Sequence, residues 1–509
     1  MNLYELVLED AEKLTTENLE DYRRAWAKKL GRVPKNSEVW PLLADPELVE
    51  MFKTRGVRTE SGVAPFAVMM KPYACPGECV YCPLEKGMPK SYLPDEPAAQ
   101  RAKLLNFDPY RQVEGRIKQL TETGHVTDKI DLIVIGGTFS AYPEEYKREF
   151  FKGMYDGVNG FESTSLEDAI RFNETAKRRV VGISVETRPD WVSEKEVRLW
   201  RSVGVTKVQL GVQAFDEKIL GTIKRGHSLE VVAKATQLCR SAGLKICYHF
   251  MPNLPGSSPE KDMEMARIMF TDPRFRPDYL KVYPAMTIPG TQMHEMWKRG
   301  EYVPYGEDEL KDVLKQIKLI TPEWCRIDRL VRDISKKWVT AGSIRTNMRQ
   351  GLQAELEKEG RECRCIRCRE VRGKVYEEGV VFVEREYETL GGKELFLSFE
   401  KDGKLYSMLR LRLPERNERV LFEELEGAAI VREVHTYGQV QGLENDRKGR
   451  TQHKGLGRRL MERAEGWAKR KGYRRMAVIS AVGTREYYRK LGYKLMGEYM
   501  VKGLRGYSS

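Results

Sequence analysis

Residues 75 to 83 read C-P-G-E-C-V-Y-C-P, three cysteines in nine positions with Tyr81 before the last. Thiolates from one short loop, here Cys75, Cys79 and Cys82, can hold three irons of a four-iron cluster and leave the fourth open to bind and reduce something. The prolines and the glycine suit a loop that wraps such a group rather than a helix or strand. A single zinc ion is the alternative, but zinc needs a fourth ligand close by, and no further Cys or His lies nearer than His125. A second set, Cys363, Cys365 and Cys368 in E-C-R-C-I-R-C-R-E, offers three ligands in six positions. With Cys325 as a fourth it makes a candidate zinc clip; a second iron–sulfur cluster or free thiols among arginines are the competing readings. Cys239 and Cys247 sit in mixed apolar segments and read as small packed hydrophobes. The odd total of nine, clustered, in a chain whose start lacks a signal-peptide layout, argues for metal ligation over disulfides.

Near the C-terminus stands Q-H-K-G-L-G, followed by R-R-L-M-E-R-A-E-G-W-A-K-R. Leu460, Met461, Ala464, Trp467 and Ala468 recur with helical spacing, so Gln452 to Gly457 form a glycine-rich loop at a helix N-terminus. Such a loop offers free N–H groups and a partial positive end to a pyrophosphate.

The elements that must position these residues are legible in outline. From about 66 to 320, short β-rich runs alternate with helical patterns: D-L-I-V-I-G-G-T, V-V-G-I-S-V-E-T-R, K-V-Q-L-G-V-Q, K-I-C-Y-H-F-M-P and Y-L-K-V-Y-P. That order predicts parallel βα units in an open or closed barrel, with function at the C-terminal ends of the strands. Residues 321 to 375 read as a cysteine-containing connector. From 376 to 509, runs such as G-V-V-F-V-E-R-E-Y and L-Y-S-M-L-R-L-R-L alternate as antiparallel strands do, predicting a second domain. Residues 1 to 65 read as helical and then basic, either a nucleic-acid arm or a solvated face. The chain has 509 residues, 32% of them charged, and a formal net charge of +13, which favours an anionic partner such as RNA; heat adaptation is another source of such charge. No span approaches the ~20 apolar residues of a membrane helix, so a cytoplasmic protein is expected.

The C-x3-C-x2-C loop with its aromatic, ahead of a βα barrel, resembles the signature of radical S-adenosylmethionine (SAM) enzymes. That resemblance implies a 4Fe-4S cluster whose open iron chelates SAM. It implies that Gly136, Gly137 and Thr138 pass the methionine amino group at the end of the first strand, and that Glu186 touches the SAM ribose or amino group. The order strand, Q-x-x-G-x-G, helix, strand M-A-V-I-S, then Y-Y-R-K-L-G-Y resembles GNAT-type acetyltransferases. It implies acetyl-CoA with its pantetheine arm along Glu433 to Thr436, and Tyr488 as proton donor to the leaving thiolate, with Tyr487 its packed neighbour.

Both modules together are similar to one family across nearly all of the chain, the catalytic subunit of Elongator, through G-V-R-T-E-S-G-V-A-P-F-A-V-M-M-K-P, S-Y-L-P-D-E-P, R-P-D-Y-L-K-V-Y-P, L-V-R-D-I-S and A-V-I-S-A-V-G-T-R-E-Y-Y-R-K-L-G-Y-K-L. The first cysteine loop is shorter than in many members. The resemblance implies an α/β protein, a radical SAM partial barrel plus a GNAT domain. Its expected reaction forms a carbon radical on the acetyl methyl of acetyl-CoA, adds it to carbon 5 of the tRNA wobble uridine, and hydrolyses the thioester to leave a carboxymethyl group. It further implies CoA contacts at Lys129, Glu433, Val434, His435, Thr436, Leu456, Gly457, Arg458 and Tyr488. Lys281 is a weaker candidate for holding the uridine or acetyl group, and His249 reads as a lining histidine. tRNA and an external electron donor are the implied partners, with residues 1 to 65 and R-C-I-R-C-R-E as candidate RNA surfaces. A protein lysine acetyltransferase with an accessory iron–sulfur domain is the rival reading, and a non-catalytic RNA-binding scaffold a third.

Overall fold

The computed structural model describes residues 2–34, 36–39, 42–43, 48, 62–342, 348–371, 379–437 and 455–504. At the N-terminus, helices Leu3–Asp10 and Leu19–Leu30 bury Leu6, Val7, Leu19 and Trp26 in a small core of their own. Arg23 and Arg24 pair within the second helix with Glu20 (2.7 Å) and Asp21 (3.4 Å), so its own acids offset part of its basic face. The basic run M-F-K-T-R-G-V-R lies outside the described residues.

Seven strands follow: β1 (Ala64–Met69), β2 (Lys129–Ile135), β3 (Arg179–Thr187), β4 (Lys207–Gln213), β5 (Lys245–Phe250), β6 (Tyr279–Val282) and β7 (Arg326–Leu330). They pair in chain order and all in parallel, and among the described residues no pairing joins β7 to β1, so the barrel is open there. Two of these strands depart from expectation. β1, A-P-F-A-V-M, precedes the cysteine loop, so Gly136, Gly137 and Thr138 follow the second strand rather than the first. β7, R-I-D-R-L, extends the sheet into the stretch read as a connector; three charged residues in five hide its pattern.

Side-chain alternation along the strands sorts the barrel. Val68, Leu132, Val185, Val208, Ile246 and Leu280 are buried under the helical layer. Asp131, Lys207, Gln209, Lys245, His249, Lys281 and Asp328 line a cavity inside. Ordinary barrels of this type fill their interior with layers of branched aliphatic side chains. Here the interior is polar and hollow.

The second sheet contains β8 (Val381–Thr389), β9 (Gly392–Lys401), β10 (Lys404–Pro414), β11 (Ala428–Thr436), β12 (Arg475–Val478), β13 (Lys494–Met496) and β14 (Tyr499–Gly503), in the order β13-β14-β12-β11-β10-β9-β8. The helix Leu456–Arg470 covers it through Leu456, Leu460, Met461, Ala464 and Ala468, spaced as one apolar face. β11 runs parallel to β12 only from Ala428 to Val431; beyond that it continues paired with β10 alone. A V-shaped opening results, with Glu433 to Thr436 on its free edge.

This domain closes the N-terminal end of the barrel, where the loops before β3 to β6 lie. Tyr499 Oη donates to Ala242 O (2.8 Å), and Arg485 pairs with Glu174 (2.6 Å). Gly243, at φ +78°, sits where a Cβ would come within 3.1 Å of Ile430, and a Cβ on Gly483 would lie 2.8 Å from Val180 O. The apolar core is continuous across the join, from Val208 and Leu280 to Ile430, Ile479 and Val501.

At the centre of the join is Asp278, just before β6 and fully buried. Its carboxylate accepts from Ile246 N (2.8 Å), pairs with Arg432 and lies 3.4 Å from Arg410, both arginines belonging to the second sheet. Burial, the largest influence, would raise its carboxyl; Arg432, Arg410 and Arg240 outweigh it and hold the group well below the usual carboxylate range. Removing one partner of a buried ion pair leaves the other charged and unmatched, so Asp278→Ala is expected to cost about 3–5 kcal/mol. A depressed folded-state value means that the contribution is present above the unfolded pKa of ~3.9 and is lost as pH falls below it. Urea unfolding between pH 7 and pH 3 should show a lower midpoint for the variant at pH 7 and a shallower acid decline than in the wild type.

Candidate functional site

β1 and β2 end side by side, and Met70 N still donates to Ile135 O (2.9 Å) as the chain enters the cysteine loop. Gly136 (φ +136°) and Gly137 (φ +94°) adopt backbone conformations that favour glycine, and a Cβ on Gly136 would lie 3.2 Å from Met70 Cβ. That close approach sets Thr138 Oγ1 3.5 Å from Cys75 Sγ.

Cys79 Sγ accepts from Arg225 Nη1 (3.2 Å) and Arg188 Nη1 (3.7 Å). Arg188 follows β3 and is fixed by Asp190 (2.8 Å); Arg225 donates its Nε to Gly211 O (3.0 Å). Burial works against the Cys79 thiolate, yet Arg225, Tyr81 and Arg188 together lower its pKa. Arg225 is buried too; Tyr81 and the thiols of Cys79 and Cys82, rather than a carboxylate, are the neighbours that favour its charge. A buried guanidinium matched to sulfur fits a loop meant to carry anionic thiolates. Neither arginine was singled out from sequence, because each reaches the loop from more than 100 positions away.

Sulfurs on one tetrahedral zinc, at ~2.3 Å each, stand about 3.8 Å apart. Among the described residues, the one group of three or more Cys, His, Asp or Glu ligand atoms within 4.8 Å of each other is Cys363, Cys365 and Cys368. Cys75, Cys79 and Cys82 are more widely placed, as suits a cluster in which each cysteine takes a different iron. Cys363, Cys365 and Cys368 fit a single ion. The structure does not bring Cys325 into their group: it is fully buried where β7 begins, its carbonyl accepting from Ile366 N (3.0 Å).

Opposite the cysteine loop, Glu186 at the end of β3 accepts from Tyr92 Oη (2.7 Å) and Lys281 Nζ (3.3 Å). Burial disfavours its charge, but Lys281 and the Tyr92 hydroxyl prevail and lower its pKa. His249, facing Gln209 Oε1 at 3.2 Å, is pushed down to about 3 by burial and by the charge of Lys281, and is therefore neutral. Tyr92 is a third residue with no local sequence signal.

In the second domain, Glu433 accepts from Tyr279 Oη of the barrel and from Arg410 Nε (2.8 Å). Burial would raise its carboxyl; Arg410, Lys245 and Tyr279 bring it down to about 2. His435 stacks on Tyr437 with centroids 4.3 Å apart, on the barrel side of β11. Val434 and Thr436 face the other way, toward Gly457, where a Cβ would lie 3.0 Å from Tyr487 Oη and 3.5 Å from Thr436 Oγ1. Leu456 is buried, and exposed Arg458 pairs with Glu462 (3.0 Å). Gln452, His453 and Lys454 lie outside the described residues. Tyr488 is buried edge-on to Tyr487 at 5.1 Å, and burial raises its hydroxyl. Lys129 begins β2 opposite Arg179, at the barrel end that meets the second domain and away from Gly136.

One cavity of about 1030 Å³ runs between the cysteine loop and the barrel side of β11; Thr436, Gly457 and Tyr488 lie outside its lining. Cys75, Cys79, Cys82, Thr138 and Glu186 line its upper end, and Lys245, Tyr279, Glu433 and His435 its lower end. Among the described residues no helix is long and apolar enough to cross a membrane.

Family models match in three places: the Radical SAM superfamily over residues 70–269, the Radical_SAM C-terminal domain over 277–358, and the Acetyltransferase (GNAT) family over 448–493. The tRNA uridine(34) acetyltransferase of Methanocaldococcus infernus is 45% identical over 491 residues, 92% of each chain. That of Dehalococcoides mccartyi is 45% identical over 88% of this chain and 99% of its own, and Elongator complex protein 3 of Homo sapiens is 38% identical over 90% and 87%. The solved structure of the archaeal M. infernus Elp3 with an N-terminal deletion superimposes with a TM-score of 0.76 at 43% identity, covering 87% of this chain and all of that one. An open radical SAM barrel capped by a GNAT domain, with relatives matched nearly end to end, places the chain in the family of tRNA uridine(34) acetyltransferases and Elongator complex protein 3.

Proposed function

We propose that the protein installs a carboxymethyl group at carbon 5 of the wobble uridine of tRNA, using acetyl-CoA and SAM. The observation that carries the reading is the continuous cavity bounded by the three loop cysteines at one end and by β11 of the acetyltransferase domain at the other. Cys75, Cys79 and Cys82 would hold a 4Fe-4S cluster, which with SAM and an external electron donor supplies a radical strong enough to take hydrogen from an unactivated methyl group. Arg225 and Arg188 offset the charge of the thiolates. Gly136, Gly137 and Thr138 leave room beside the loop for the methionine portion of SAM, and Glu186, kept ionised by Lys281, accepts from its amino or hydroxyl groups. Lys281, so held, also faces the space where the acetyl group or uridine would sit.

Acetyl-CoA is held from below. The main-chain edge from Glu433 to Thr436, left free where β12 ends its pairing, takes the pantetheine amides. The helix N-terminus at Leu456, Gly457 and Arg458 takes the pyrophosphate, and Lys129 reaches the cofactor from the barrel side. Tyr488, whose raised pKa keeps it protonated, donates to the departing thiolate.

Cys363, Cys365 and Cys368 would bind zinc, their fourth ligand being other than Cys325. Purified protein is expected to hold about one zinc per chain at this site, lost in Cys365→Ser while the iron of the reconstituted cluster remains; elemental analysis reads both.

Mass spectrometry of tRNA nucleosides after incubating reduced, iron-reconstituted protein with SAM, acetyl-CoA and unmodified tRNA should detect 5-carboxymethyluridine, absent with Cys79→Ser. Unmodified tRNA from a protein that carries its cluster and cleaves SAM would overturn the assignment. Tyr488→Phe should lower the modification rate by about 10²-fold, in the range for loss of a general acid, with CoA affinity unchanged by calorimetry.

A further inference from the structure

A closed barrel fixes its first strand against its last by hydrogen bonds between them. Here β1 and β7 make no such pairing among the described residues. The mouth is tied across that seam by side chains instead, from two stretches of sequence that meet there, S-Y-L-P-D-E-P after the cysteine loop and L-V-R-D-I-S at the end of β7. The Arg332 guanidinium donates Nη1 to Ser91 Oγ (3.0 Å), Nη2 to Ser91 O (2.6 Å), and Nη2 and Nε to the Glu96 carboxylate (2.7 and 3.1 Å). Its Cζ stands 4.8 Å over the Tyr92 ring. Trp338 Nε1 (2.9 Å) and Lys337 Nζ (2.7 Å) add a second link, both to Asp95. Two residues bracket the contact in the left-handed region, Ser91 at φ +82° and Val331 at φ +66°. That conformation costs free energy in any residue but glycine, most of all in a β-branched one, and persists only where the surroundings fix it.

Tyr92 links this clasp to the site. Beneath the guanidinium, it donates its hydroxyl to Glu186 Oε2 (2.7 Å), while the other oxygen of that carboxylate accepts from Lys281 Nζ (3.3 Å). A carboxylate meets a ligand in a fixed direction only where supporting hydrogen bonds lock its own rotamer. We infer that Arg332 is a positioning residue for the SAM site: it clasps the open seam, holds Tyr92, and through Tyr92 sets the direction in which Glu186 presents its carboxylate. The guanidinium bonds Ser91 and Glu96 rather than Glu186, so its influence on that carboxylate passes through the Tyr92 ring. The inference rests on the SAM reading of Glu186 and adds the residues that hold that group in place.

The test is calorimetric titration of SAM into the full-length, cluster-reconstituted protein, arranged as a double-mutant cycle on Arg332→Gln and Tyr92→Phe. Each single substitution should weaken SAM binding about 10-fold, the scale of one lost hydrogen bond to a charged group, with cluster iron and CoA affinity unchanged. Because both changes remove the same support, the double variant should also stand near 10-fold rather than at the ~100-fold of independent effects. Should Arg332→Gln fail to retain its cluster, Arg332→Lys carries the same cycle, since it keeps the charge beside Glu96 but lacks the fork that also reaches Ser91. An additive loss of ~100-fold, or SAM affinity unmoved by the Arg332 variant while Glu186→Gln weakens it, would overturn the clasp and leave the SAM role of Glu186 standing. SAM affinity unmoved by Glu186→Gln would overturn that role, and the inference with it.

Discussion

A single buried carboxylate ties the two halves of this molecule together. Asp278 ends the approach to β6, and Arg410 and Arg432 come from neighbouring strands of the second sheet. The network continues through Arg432 to Glu394 (3.0 Å), from Glu394 to Arg412 (3.3 Å), and through Arg410 to Glu433 (2.8 Å). Ion pairs with so little solvent are weak sources of net stability, since desolvation consumes most of their attraction. What they fix is geometry. The hydrogen bonds that hold β6 at its register also hold β11 against the barrel floor, so the foot of the cavity and the edge offered to CoA are set by the same groups.

The chemistry was more legible than the architecture. Cysteines and glycines announce themselves because few other residue types can do what they do at such spacing, and both candidate loops stand out on that ground. Strands β2 to β6 were visible as apolar runs. β1 was not, because Pro65 interrupts it, nor was β7, where Arg326, Asp328 and Arg329 mask Ile327 and Leu330. Arg188, Arg225 and Tyr92 share a deeper reason for escaping notice: their work is done on partners distant in the chain, and spacing arguments see only neighbours. Cys325 stands outside the group of three. In the sequence it is the one other unassigned cysteine at the domain junction, and the structure places it as a fully buried side chain just before β7.

No local pattern in the sequence says which end of the barrel the second domain covers. The glycine-rich loops, the cysteines and the strand ends direct attention to the top of the barrel, where such proteins concentrate function. The floor is decided instead by close approaches at Gly243 and Gly483 and by the pairing of Asp278 with Arg410 and Arg432, contacts between residues more than 130 positions apart.

The shared apolar core has a consequence for how the chain is made. Val208 and Leu280 belong to one continuous cluster with Ile430, Ile479 and Val501, so the barrel floor stays uncovered until residues near 500 have left the ribosome. Domains that emerge first ordinarily fold first, and exposed apolar surface on such an intermediate invites aggregation. This barrel must wait, incomplete, through the synthesis of some 170 further residues after β7. Synthesis from one end therefore sets a timing problem that the finished molecule no longer displays.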